Sequence, residues 1–481
     1  MKIVSHWRRT GEMGIQSSPY LKSKRRFRIK RFLLILILVP LMASWTPPAE
    51  LPTFEQYLRE SVTTREAIDK SLHNFHRWQF DSELGVIDGE YVGEVGGLPG
   101  GIDGSANVGT FRGDGARTSF LYANLKPRIN TYGDSFTHGD QVNDGETWQE
   151  YLAGHLREPI GNFGVGGYGV YQAYRRMLRE EKTDHAAKYL ILTICCDDST
   201  RSLFRSWYPI TRTLEHRVFA GAKPNVEINL NTGKFVEKEN LLPTEESLYH
   251  LTEPQWMVDH LRDDLALELQ LFAGGWWVNE QRIRSLDHEK IGKLASALDF
   301  PLDWSVEGRT DTVPSRCAAY GMPPLTRMQA QALALLNRYS QRATIYILDK
   351  ARTYAQQQGK KLLVVLVLNT DGGILKKTGE RDNQEVVDYL IKEHFDYFDM
   401  DQALVDDYRK ANTNLSYSDY VKKYMVNGQG HLNPLGNHFF AYSLKDRAIE
   451  WLDPKPATYE KRGAKILNER YFFDARPSST Q

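Results

Sequence analysis

The chain has 481 residues, 41% hydrophobic and 25% charged, a globular composition with apolar material for roughly two to four domains. Lys+Arg and Asp+Glu both total 61, so the net charge is zero and the long-range field that draws a protein to nucleic acid is missing. Its three cysteines, two of them adjacent (Cys195 and Cys196), form no disulfide framework and have no metal-ligand spacing; no metal or cofactor is implied.

Seven basic residues lie between Lys22 and Arg31, followed by a run over residues 32–45 that is apolar but for Pro40 and Ser44. A membrane span needs about twenty residues, so this run is short for one and suits the apolar region of an export signal. The basic residues 1–31 would then stay on the cytoplasmic side. No good small-x-small site follows, and Pro47 and Pro48 disfavour cleavage just downstream. The segment reads as an uncleaved signal anchor, with a cleaved signal peptide as the alternative. Either way the bulk of the chain is expected outside the cytoplasm, and in the first case attached to the membrane through this segment.

Residues 46–127 read as a tether, a helix around 54–78 and a Gly-rich lead-in over 85–115 of loops and short strands. From residue 128 strands and helices alternate. Strands are expected at 128–132, 160–163, 189–195, 362–368 and 397–400. Helices are expected at 147–156, 171–181, 327–358, 383–393 and 434–451. The run Leu362-Leu363-Val364-Val365-Leu366-Val367-Leu368 fits a strand buried on both faces, and the alternation implies a parallel sheet covered by helices. The first part of this domain is residues 128–204 and the second 326–452, with a C-terminal tail over 453–481. Residues 205–325 interrupt it, with a hairpin over 226–237 and irregular sequence containing Trp256, Trp276 and Trp277. This reads as an insertion, either a cap over a substrate or a packing appendage.

The chemistry starts at Gly133-Asp134-Ser135-Phe136-Thr137-His138-Gly139, directly after a strand. A serine at a tight strand-to-helix turn exposes its hydroxyl and leaves its main-chain N–H free for an oxyanion. About thirty residues on, Asn162-Phe163-Gly164-Val165-Gly166-Gly167-Tyr168-Gly169 places glycines where the backbone can approach a ligand. The strand 189–195 ends in Cys195-Cys196-Asp197-Asp198, and His431 stands just before the last helix in Gly430-His431-Leu432-Asn433-Pro434.

These four segments, in this order and at these strand ends, resemble the SGNH/GDSL hydrolase family. The resemblance covers residues 81–451 and implies an α/β, flavodoxin-like three-layer sandwich of about five parallel strands. It matches Ser135 to the nucleophile, His431 to the general base, and the N–H groups of Ser135 and Gly167 to the oxyanion hole. Two positions depart from the family pattern. Asp197 stands where an Asn usually donates to the oxyanion, and an ionised carboxylate there would repel it. Gly428 stands where an Asp usually orients the histidine. A Ser–His dyad with a backbone carbonyl as orienter is the expectation, with Asp399 and Asp401 as the other candidates.

His138 reads as a solvated helix-turn residue, Cys195 and Cys196 as buried small hydrophobes, and Trp276 and Trp277 as core of the insertion. The expected activity is ester hydrolysis or O-acyl transfer on a small-molecule or glycan ester, in the resemblance's terms an exported or cell-surface glycan. The competing reading is a glycan-binding or assembly protein that kept the fold and lost efficient chemistry. Neither the acyl group nor the oligomeric state is legible in the sequence.

Overall fold

Alternating hydrophobic strands and amphipathic helices from residue 129 onward build one five-stranded, all-parallel sheet. The structure is a computed structural model that describes residues 50–74, 77–94, 107–211, 221–275, 278, 280–310, 324–368, 372–428 and 430–456. The apolar segment 32–45, Trp276 and Trp277 lie outside the described residues. Among the described residues no helix is long and apolar enough to cross a membrane.

The sheet strands are β1 (Ile129–Tyr132), β2 (Ile160–Asn162), β3 (Tyr189–Cys195), β4 (Lys361–Val367) and β5 (Tyr397–Asp399). Their spatial order is β2-β1-β3-β4-β5, which fits a flavodoxin-like core. In register, Tyr189 pairs with both Ile129 and Lys361. Every residue of β3 is buried, and so is all of β4 but Lys361. That is the pattern of strands covered on both faces.

The period of two sorts the two faces. Leu190, Leu192, Ile194, Val364 and Leu366 point into a core shared with the helices Val170–Glu180 and Arg327–Gln357. Ile129, Ile191, Leu363 and Val365 point into a second core against Trp148–Leu156, Met400–Ala411 and Pro434–Trp451. Truncating one of these strand residues, Leu192 for example, to Ala is expected to cost about 2–5 kcal/mol.

The insertion contains the hairpin Asn225–Asn229/Lys234–Lys238, whose turn closes on Asn229 with Gly233 in the left-handed region. Its helix Leu265–Ala273 is buried along its whole length and joins the first core. The helix expected over 54–78 is instead two helices, Phe54–Glu60 and Arg65–Asn74, followed by a strand at Trp78–Asp81. Ser61 ends the first by turning its hydroxyl back onto the Tyr57 carbonyl. Trp78-Gln79-Phe80-Asp81 alternates with period two and pairs with Gly85–Asp88; a second hairpin joins Tyr91–Glu94 to Val108–Phe111.

Candidate active site

The loops leaving the C-terminal ends of β1, β2 and β3 converge where the chain, having run from β1 out to β2, returns to the other side of β1. After β1, Asp134 caps a one-turn helix by accepting from the Phe136 N–H, so Ser135 becomes its first residue. A first-turn residue has no intrahelical acceptor for its N–H. The loop after β2 presses directly on this turn. A Cβ on Gly164 would sit 2.3 Å from the His138 nitrogen, so only glycine fits there. Gly167 has φ +77, and a Cβ on Gly166 would lie 4.0 Å from the Ser135 Cβ. Neither the Ser135 nor the Gly167 N–H donates to an acceptor among the described residues.

His431 comes from a loop closed on itself: Val426 N–H donates to the His431 carbonyl, and Gly430 N–H to that of Val426. Asn433 then caps the last helix through the Gly436 N–H, with Pro434 in its first turn. This brings His431 Nε2 to 2.8 Å from Ser135 Oγ across 296 residues of sequence. Ser135 is 9% exposed.

The orienter of His431 is Gln141, not a backbone carbonyl and neither Asp399 nor Asp401. Gln141 Oε1 lies 2.9 Å from His431 Nδ1 and 2.9 Å from the His431 main-chain nitrogen. A main-chain N–H can only donate, so the Gln141 atom facing it is the oxygen. That same oxygen then requires a proton on Nδ1, which leaves Nε2 as the acceptor for the serine hydroxyl. Gln141 is buried and adopts φ +68, a conformation that costs energy for a side chain with a Cβ and is held here by its surroundings. Asp399 and Asp401 face Arg381 instead, at 2.6 and 3.9 Å.

At the end of β3, Asp197 does not stand as a bare charge. Its Oδ1 lies 2.6 Å from Nη2 of Arg201, one helical turn on. Arg201 also faces Asp198 at 3.3 Å and Asp134 at 3.7 Å, and donates to the Tyr168 carbonyl at 3.4 Å. Burial pushes Asp134 up to about 6 and Asp198 well above the usual range, against the pull of Arg201. Both Asp198 oxygens are engaged, Oδ2 by the Cys195 N–H at 2.8 Å and Oδ1 by Arg201. The carboxylate at the expected oxyanion position is neutralised by a residue the sequence reading passed over, although Asp197 and Arg201 have helical i,i+4 spacing.

His138 is fully buried rather than solvated. It lies between Asp140 at 2.8 Å, Asp88 at 3.4 Å and Arg77 at 2.9 Å, with Phe111 stacked on its ring. Cys195 is buried and Cys196 partly so. Cys196 leaves the strand with φ +46, which turns its sulfur back to 2.9 Å from that of Cys195; both are free thiols.

The insertion reaches this site through Lys223, whose Nζ donates to the Gly167 carbonyl at 2.5 Å. His431 is pushed down by burial, with Asp140 pulling it up and His138, Arg201 and Arg77 pulling it further down. It is therefore an unprotonated base at neutral pH. Among the described residues no group of three His, Cys, Asp or Glu is placed to hold a metal ion. Set against protein-family models and against curated proteins, the chain matches none.

Proposed function

We propose that the protein is a serine-dependent ester hydrolase or O-acyltransferase of the SGNH/GDSL type, working through an acyl-enzyme. The observation that carries this reading is the three-residue relay. Ser135 Oγ is 2.8 Å from His431 Nε2, and Gln141 fixes the opposite ring nitrogen as the donor.

In the proposed reaction, Nε2 of His431 takes the Ser135 proton as Oγ bonds to the ester carbonyl carbon. The carbonyl oxygen becomes an oxyanion, received by the free N–H groups of Ser135 and Gly167. Collapse breaks the bond to the alcohol oxygen, which leaves with the proton from Nε2. Water or a sugar hydroxyl then gives its proton to Nε2 and attacks the acyl-serine; the Oγ–acyl bond breaks, Nε2 returns the proton to Ser135 Oγ, and an acid or a new ester leaves. Hydrolysis and transfer share every step but the acceptor.

Lys223 supports reading the insertion as a wall or cap of the site. Its ammonium holds the carbonyl of a glycine whose N–H is assigned to the oxyanion, and hydrogen bonds from charged donors are worth about 1.5–3 kcal/mol. Exported, membrane-anchored placement through residues 32–45, and O-acyl groups of an exported or cell-surface glycan as substrate, complete the proposal. These rest on the N-terminal sequence pattern and the resemblance.

The test is hydrolysis of p-nitrophenyl acetate by the purified full-length protein beside Ser135→Ala and His431→Ala. Activity lost in both variants supports the reading. Equal rates in all three folded proteins would instead favour the binding or assembly role.

A further inference from the structure

A histidine base whose orienter is a neutral amide lacks the negative charge that usually stabilises the imidazolium formed in acyl transfer. We propose that Asp140 supplies that charge as a positioning residue, held beside the site by a buried quartet with His138, Arg77 and Asp88. This rests on the Ser135–His431 reading above.

The geometry is specific. Asp140 lies between the left-handed Gly139 and Gln141, and its N–H donates to the Ser135 carbonyl at 3.1 Å. Its Oδ1 is fully engaged, 2.8 Å from His138 Nδ1 and 3.0 Å from Arg77 Nη2. Its Oδ2 lies beside Gly166, where an added Cβ would meet it at 3.5 Å, Trp78 at 3.7 Å and Ser135 Cβ at 4.0 Å. Arg77 reaches on to Asp88 Oδ1 at 2.8 Å and to His138 Nε2 at 2.9 Å. Arg77 Nη2 is 3.3 Å from Nδ1 as well, and Asp88 Oδ2 is 3.4 Å from Nε2. The two shortest contacts, Asp140 on Nδ1 and Arg77 on Nε2, are both satisfied by a proton on Nδ1 directed at Asp140, with Nε2 accepting.

His138 is then neutral, in line with burial and Arg77 pushing its pKa down against the upward pull of Asp140 and Asp88. Two carboxylates, one guanidinium and a neutral imidazole leave one net negative charge. Phe111 covers the group, stacked on His138 with its ring centroid 5.0 Å from the Arg77 guanidinium, so water screens this charge weakly. Burial alone would raise the Asp140 carboxyl, but Arg77 and His138 hold it well below the usual range, so the charge persists through the pH range of catalysis.

The other groups bearing on His431 are the neutral Gln141 amide, the Phe136 ring at 4.9 Å, the His138 ring, and the cations Arg201 and Arg77. Among these groups, Asp140 is the one whose charge favours the imidazolium. Its removal should lower the His431 pKa, and removal of Arg77 should raise it. A merely structural role produces no such opposition of sign.

The experiment follows the His431 ring by NMR in full-length protein carrying histidine labelled at Cε1, with the signal assigned by its loss in His431→Gln. Asp140→Asn is expected to move the titration down by about one unit, shift the acid limb of kcat/KM with it and slow turnover about tenfold. Asp140→Glu should restore part of the loss, and Arg77→Gln should move the titration upward. An unmoved titration in folded Asp140→Asn overturns the proposal, as do shifts of the same sign in both variants. If Asp140→Asn does not fold, Arg77→Gln decides alone, since no shift or a downward one overturns it. The ring titrates whether or not the protein turns over ester. Opposed shifts without Ser135-dependent hydrolysis would therefore sink the esterase reading and leave the coupling standing.

Discussion

β1 and β3 lie side by side, yet the segments leaving them handle charge in opposite ways. After β1, seven residues from Ser135 to Gln141 hold the proposed nucleophile and oxyanion N–H, the charge at Asp140 and the partner of His431 Nδ1. Here the group touching the imidazole is a neutral amide, and the charge stands one residue behind it. After β3, Asp197 and Asp198, joined by Asp134 from the β1 turn, crowd one guanidinium, and Arg201 offsets their charge on the spot. The difference teaches where each charge is useful. In the proposed reaction, a negative charge near the histidine would stabilise the transition state, and the same charge near the oxyanion would oppose it.

The first segment breaks most severely. Ser135→Ala and His431→Ala should each lower kcat by about 10⁴-fold or more, measured by ester hydrolysis or by transfer to an added acceptor. Gln141→Ala leaves Nδ1 without a partner and should lower kcat by roughly 10²-fold. Gln141→Glu moves the charge into direct contact with the ring. It should keep activity within about tenfold of the parent while raising the acid limb of the pH profile by about one unit.

The second segment sharpens the contrast. Arg201→Met strands buried carboxylates beside the oxyanion. It should lower kcat by more than about tenfold and cost about 3 kcal/mol in denaturant unfolding, the penalty for breaking a buried pair. Asp197→Asn removes one of those carboxylates and offers an amide donor, so its rate should stay within a few fold of the parent or rise.

How much of this was legible in the sequence divides along the same line. The parallel sheet showed in the apolar runs at β3 and β4, and Ser135, Gly167 and His431 stood out because each follows a strand or precedes a helix. Gln141 carried no signal. A glutamine six residues past a serine looks like any polar residue, and its role depends on a left-handed backbone and on a partner 290 positions away. Arg201 was readable from its helical spacing to Asp197, and the Trp78–Asp81 strand from its alternation. Arg77 and His138 were not, because a lead-in segment folds back over the nucleophile turn to join them.

The smallest predicted effect lies in the insertion. Burial pushes Glu268 up to about 7 and Asp264 up to about 6. Both are raised above their unfolded values. The stability their protonated forms contribute is therefore full below about pH 4 and lost as pH rises through 6 and 7. The Tm of Glu268→Gln relative to the parent should increase steadily between pH 5 and 8 in calorimetry.

The central claim is that Ser135 is a nucleophile activated by His431, and its most direct test is labelling of the full-length protein with a fluorophosphonate, located by peptide mass spectrometry. One equivalent per chain is expected on the peptide holding Ser135, reduced to background in His431→Ala. A folded protein that labels no faster than Ser135→Ala would contradict it.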